Sequence, residues 1–183
     1  MKQTIDWHLI MNQRCNFRYE KLIKLALTDE LTGLSNLRNF RMSLQSLIKQ
    51  SDEKNKQFGI LFLDINHFKS INDKYGHIIG DKLLIECAKR LSEVVKSNVF
   101  HKSGDEFLMI IDDVDQMNNI IVDIQRQFQR DFLIENKPVF CHISIGSSIY
   151  PLHGQSEEEL LKYADIVMYQ HKKVIKATSD DPY

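Results

Sequence analysis

Between residues 61 and 81 the chain reads Leu61-Phe62-Leu63-Asp64-Ile65-Asn66-His67-Phe68-Lys69, then Ile71-Asn72-Asp73, Gly76-His77 and Gly80-Asp81. An apolar strand running into a carboxylate, and then into a turn that carries Lys69, suits a divalent cation and the phosphates it bridges. Hard cations need oxygen ligands and little else. A second acidic pair, Asp105-Glu106, lies between Val99-Phe100 and Phe107-Leu108-Met109-Ile110-Ile111, which read as the arms of a hairpin. Two acidic clusters on neighbouring strands predict metal-assisted nucleotide chemistry. Taken singly, Asp64 ending a strand or Asp105 filling a turn says nothing of the kind; the ordered context carries the inference.

The elements that must position these residues follow from hydrophobic periodicity. Phe58 to Ile65 is an apolar run of strand length, and Asn98 to Ile111 is the hairpin. Phe40, Leu44, Leu47 and Ile48 mark a helix over residues 36–50, ended by a polar loop over residues 51–57. A helix is predicted after Gly80, with Leu83, Leu84, Cys87, Ala88, Leu91 and Val94 or Val95 facing inward. Residues 114–131 carry Met117, Ile120, Ile121, Ile124 and Phe128 at helical spacing, and residues 139–150 alternate as a strand. Ser156 with Glu159 forms a capping box for a last helix running to about Lys176. Residues 1–28 read as a linker or signalling helix, with Trp7, Met11, Cys15, Leu22 and Leu25 near one stripe, and residues 178–183 as a tail. Strands interleaved with helices, and one antiparallel hairpin, predict an α/β (α+β) sandwich whose mixed sheet is covered by helices.

Composition narrows the function. The 183 residues are 43% hydrophobic and 27% charged, which disfavours disorder. A net charge of −1 supplies no basic field, so no nucleic acid polymer is expected as partner. Cys15, Cys87 and Cys141 form no C-x-x-C pair, and an odd count fits reduced thiols. No run approaches the roughly 18 apolar residues of a membrane span, and a cytoplasmic protein is expected.

Six landmarks in order give the chain a resemblance to a known family. Asp29-Glu30-Leu31-Thr32-Gly33-Leu34-Ser35-Asn36 comes first, then the Asp64 to Asp81 blocks, the hairpin Ser103-Gly104-Asp105-Glu106-Phe107, Ser144-Ile145-Gly146, Ala164-Asp165, and Tyr169 with Lys172. Together they resemble the GGDEF family, the diguanylate cyclase domains, here over residues 29–177 with a variant SGDEF hairpin. The resemblance implies a nucleotidyl-cyclase or polymerase-palm-like fold and two Mg²⁺ per site, with Mn²⁺ an acceptable substitute. Asp64, the Ile65 carbonyl, Asp105 and Glu106 would be the ligands, and Asp105 and Glu106 the catalytic pair. Glu106 would bind metal or help deprotonate an attacking 3′-hydroxyl; both roles stay open.

The resemblance further implies that Asn72 and Asp81 read the base. A carboxylate only accepts hydrogen bonds, and guanine offers N1–H and N2–H₂ donors where adenine has an acceptor at N1. Lys69, Lys172 and Lys176 would contact phosphates, with backbone N–H groups around Asn66 to Phe68, His67 included, forming an anion nest and Gly104 bordering the substrate at the hairpin. The expected activity is condensation of two GTP into cyclic di-GMP by a homodimer under an upstream sensor domain or protein. The alternative is a degenerate GTP-binding module that regulates an attached or partner phosphodiesterase.

Four departures from the family pattern bear on activity. Ser103 replaces a glycine, at a cost of about 1 to 2 kcal/mol if that position needs a positive φ. His101 replaces an arginine. Lys173-Val174-Ile175-Lys176-Ala177 replaces the usual Gly-Arg-Asn ending, and Val94-Val95-Lys96-Ser97 lacks the Arg and Asp of the product-inhibition site.

Overall fold

The apolar run Phe58–Ile65 becomes strand β2, at the centre of a five-stranded sheet. The computed structural model describes residues 20–178, with side chains as far as residue 173. Its main sheet has the order β1 (Ser35–Asn36), β3 (Val99–Ser103), β4 (Glu106–Ile111), β2 and β7 (Ile143–Tyr150). β1 is parallel to β3 and the remaining pairs are antiparallel, so the sheet is mixed, as expected.

Every β2 residue except Asp64 is buried, because helices cover both faces of the sheet. Residues 20–27 form α1. Helices α2 (Leu37–Lys54) and α6 (Glu157–Thr178) pack on the face that carries Phe58, Ile60, Phe62, Phe100 and Leu108. Helices α3 (Phe68–Tyr75), α4 (His77–Val94) and α5 (Met117–Phe128) pack on the face that carries Leu61, Leu63, Phe107 and Met109. Alternate strand residues thus feed two separate apolar clusters.

Gly146 lets α6 lie close on the sheet. A Cβ there would stand 1.9 Å from the Ala164 carbonyl oxygen and 2.4 Å from the Met168 nitrogen. That approach carries Lys172, one turn beyond Met168, over the end of β2. At the start of α6, Ser156 Oγ accepts from the Glu159 N–H at 3.2 Å, while the Glu159 carboxylate accepts from the Gln155 N–H at 2.8 Å. The capping box is therefore present, with its return bond one residue earlier than the motif specifies.

Several boundaries differ from expectation. α2 continues through the stretch predicted as loop, because Ser51 is buried against the domain, and Asn55 in the left-handed region ends it. α4 begins at His77 rather than after Gly80, so Asp81 lies inside the helix and is not its N-cap. What read as a turn after β2 is the helix α3. The predicted strand from Val139 begins at Ile143, and a small hairpin, β5 (Phe132–Ile134) and β6 (Lys137–Val139), precedes it. Its turn residues Glu135 and Asn136 have φ of 49° and 62°, the signature of a type I′ turn. Of the N-terminal stripe, Trp7, Met11 and Cys15 lie outside the described residues.

Candidate active site

The acidic residues converge through strand register. Asp64 pairs across β2 with Glu106 of β4 on one side and with Ser144 of β7 on the other. Period-two alternation therefore puts the Asp64 and Glu106 side chains on the same face, toward α6. Asp105 occupies the turn between β3 and β4, and its carbonyl accepts from the Ile65 N–H at 3.1 Å, closing the turn over the end of β2. Burial pushes the Asp105 carboxyl above its ordinary value, and the negative charge of Asp64 adds to the push.

Two ammonium groups answer this negative charge. Lys172 Nζ donates to Asp64 Oδ1 at 2.5 Å, and Lys102 Nζ donates to Glu106 Oε2 at 2.6 Å. Ser103 Oγ donates to the same Glu106 oxygen at 3.3 Å. Among the described residues no three carboxylates, imidazoles or thiols converge as a ready-made cation cage. A Mg²⁺ ion bound with nucleotide needs only one or two carboxylates, the rest of its shell being phosphate oxygens and water. The mutually repelling pair Asp64 and Asp105 fits that requirement.

The left-handed residue of the hairpin turn is Gly104, with φ of 56°, and Ser103 has no positive φ. The strain expected of Ser103 is therefore absent. His101 is also more than a lost arginine. It is buried, its Nε2–H donates to the Gly104 carbonyl at 3.0 Å, and its Nδ1 stands 2.9 Å from Asp29 Oδ1, at ion-pair distance though off the N–H axis. Asp29 in turn accepts from the Thr32 N–H at 2.8 Å and the Thr32 hydroxyl at 2.7 Å. Burial alone would raise the Asp29 carboxyl, but the Thr32 bonds and His101 outweigh it and leave the group below its ordinary value. The Asp29 to Asn36 segment is thus a folded turn joined to the hairpin through His101.

On the other face, α3 and α4 bring the proposed base readers together. The Asn72 side chain lies against Gly80, where a Cβ would stand 1.8 Å from Asn72 Oδ1 and 3.3 Å from Phe68 Cζ. Asn72 Oδ1 is buried and has no hydrogen-bond partner among the described residues. Such an atom costs free energy unless something donates to it. Asp81 follows Gly80 and is exposed. His67 caps α3 in the left-handed region, with φ of 57°, and the first N–H groups of that helix have no partner within it. The Asn66 N–H expected in the same nest, however, donates to the His142 carbonyl at 2.8 Å and is not available to a phosphate. Lys69 is exposed on the first turn of α3. The Lys176 backbone belongs to α6, but its side chain lies outside the described residues. Val94 ends α4 and Val95 caps it.

Asp64, Asp105, Glu106 and Lys172 therefore meet on the α6 side of the sheet end, while on the α3 and α4 side Asn72 packs against Gly80, the residue that precedes the exposed Asp81. The turn at residues 66–68 joins the two. Sequence reasoning misses Lys102 and the anchoring role of His101. The signal for Lys102 is its position four residues before Glu106, across a tight turn.

Residues 26–177 match the family model described as diguanylate cyclase, GGDEF domain. Among curated proteins, the bifunctional diguanylate cyclase/cyclic di-GMP phosphodiesterase MucR of Pseudomonas aeruginosa is 35% identical over 156 residues, which are 83% of this chain and 23% of MucR. The diguanylate cyclase DgcN of Escherichia coli K12 is 36% identical over 173 residues, 91% of this chain and 41% of DgcN. Among solved structures, the isolated GGDEF domain of TpbB (YfiN) from Pseudomonas aeruginosa superposes with a TM-score of 0.76 at 29% identity, covering 80% of this chain and 89% of that one. The chain spans from about a fifth to two fifths of the length of the curated relatives it matches.

Proposed function

The chain belongs to the GGDEF family, with its palm-like cyclase fold, and from that premise we propose that it is a diguanylate cyclase condensing two GTP into cyclic di-GMP and two pyrophosphates. The observation that supports this most is the crowding of Asp105 by Asp64 at the strand end that also presents Glu106. Carboxylates held together against their own repulsion make a site for a divalent cation.

Asp64 and Asp105 would hold the cation, with the Ile65 carbonyl beside them. When bound, it supplies Lewis-acid stabilisation of the charge that builds on the α-phosphate. The chain's own groups do the rest. Asn72 and Asp81 grip the guanine edge from α3 and α4, and the buried Asn72 Oδ1 gains the donor it lacks. The N–H groups at His67 and Phe68, with Lys69 and Lys172, hold phosphates. Gly104, with no Cβ, leaves the hairpin tip open to the substrate. Glu106 borders the reacting hydroxyl. One such cleft holds one GTP, so two copies must face each other and the active species is a symmetric homodimer.

A second reading is supported by the lysine contacts to Asp64 and Glu106, which leave both carboxylates already neutralised. Under it the chain binds GTP without turnover and regulates a phosphodiesterase that is part of the same protein or a partner. Product formation from GTP and Mg²⁺ separates the two readings.

Guanine selectivity provides a further test. Asp81→Ala weakens GTP binding by about 1 to 3 kcal/mol, the cost of leaving a buried donor unpaired, or roughly 5- to 150-fold in Kd. Calorimetric titration with GTP and ATP checks this. Comparable binding of ATP by the unaltered protein contradicts the assignment of Asp81.

A further inference from the structure

Lys102 is not placed as a solvated surface lysine would be. The β3–β4 ladder pairs His101 with Phe107 and then Ser103 with Glu106, so two steps on β3 match one step on β4. Lys102 is the extra residue of this bulge, and a bulge redirects the side chain it carries. The result is an ammonium 2.6 Å from Glu106 Oε2, with the Nζ 5.0 Å from the centroid of the Phe62 ring beneath it. Only 27% of the Lys102 side chain is exposed, and 26% of that of Glu106. The aromatic face and the carboxylate both attract the ammonium to this position.

On the other side of β2, Lys172 bonds Asp64, but it does so from the far end of α6. Lys102 is four residues from its carboxylate on the same hairpin, so its local concentration at Glu106 is set by a short tether rather than by solution. A divalent ion seeking Glu106 must displace that ammonium and leave it over Phe62 with no counter-charge. Among the described residues no lysine of the hairpin bonds Asp105, which feels burial and the charge of Asp64 more strongly than the opposing charge of Lys172.

Resting on the cyclase reading above, we propose that Lys102 is a built-in cation for Glu106. The nucleotide-bound site then takes one divalent ion tightly, at Asp64 and Asp105, in place of the two that the family resemblance implies. Lys102 is in this sense a positioning residue: it holds Glu106 by one oxygen and supplies positive charge there without a second metal.

The test counts metal rather than turnover. Unaltered protein, Lys102→Met and Lys102→Arg are saturated with the α,β-methylene analogue of GTP, which cannot be cleaved at the reacting bond, and titrated with Mn²⁺. Bound Mn²⁺ is obtained from the loss of the free-ion electron paramagnetic resonance signal. The inference predicts one tightly bound Mn²⁺ per bound nucleotide in the unaltered protein and in Lys102→Arg, and two in Lys102→Met. Two in the unaltered protein, or one in all three, overturns it while leaving the cyclase reading intact. If the unaltered protein binds no analogue, the cyclase reading fails and this inference fails with it. Lys102→Arg keeps the charge and the bulge, so it separates a loss of charge from a loss of fold.

Discussion

Asp105→Ala combined with Glu106→Ala eliminates formation of cyclic di-GMP, while the protein stays folded and still binds GTP. Removing a single electrostatic stabiliser of a transition state typically costs about 10²- to 10³-fold in rate, and this change removes two carboxylates from one site. Neither residue belongs to the apolar clusters on the two faces of the sheet. Loss of Asp105 relieves its repulsion with Asp64 while loss of Glu106 strips Lys102 of its counter-charge, so the two effects oppose and the melting temperature is expected to change little. The guanine contacts proposed for Asn72 and Asp81 lie on the opposite side of the sheet end and are expected to survive. Product analysis, calorimetric GTP binding and a thermal melt on the same preparation check the three parts, and turnover retained by the double variant refutes the assignment.

Gly146→Ala lowers both stability and activity, although position 146 touches no substrate. The new Cβ meets backbone, 1.9 Å from the Ala164 oxygen and 2.4 Å from the Met168 nitrogen, and a helix backbone cannot step aside as a side-chain tip can. α6 must lift from β7, at a cost of about 1 to 3 kcal/mol for an overpacked contact. For a domain of this size that is a fall of roughly 2 to 12 °C in Tm. The same lift draws Lys172 away from Asp64. A melt that matches the unaltered protein would contradict the close approach of α6 to the sheet.

Much of this architecture is legible in the residues, and the exceptions have physical causes. Phe58–Ile65 is read correctly because a strand covered on both faces has to be apolar throughout. The larger helices show their periods for a related reason, each having one buried face. α3 escapes because only Ile71 of its eight residues is buried, so there is little apolar pattern to find. Gly80 misleads by suggesting a helix start; it is a glycine because Asn72 packs against it. The β5–β6 hairpin has strands of three residues, too short for alternation to register, and a Glu-Asn turn in place of the usual glycine.

The site divides in the same way. Asp64, Asp105 and Glu106 stand out because carboxylates at the ends of apolar strands are costly without a purpose. Lys102 does not stand out, and His101 does so only as a lost arginine, since the meaning of each depends on partners that the one-dimensional pattern does not show. Ser103 misleads in the opposite direction, as the backbone places its left-handed residue at Gly104 instead.

Incubation of the purified protein with GTP and Mg²⁺, followed by chromatographic and mass-spectrometric identification of the products, tests the central claim most directly. The account predicts cyclic di-GMP with two pyrophosphates for each molecule formed, and no corresponding product from ATP. GTP that is bound but left unconverted at saturating GTP and Mg²⁺, with dimerisation enforced, would contradict the enzyme and leave the regulatory GTP-binding module in its place.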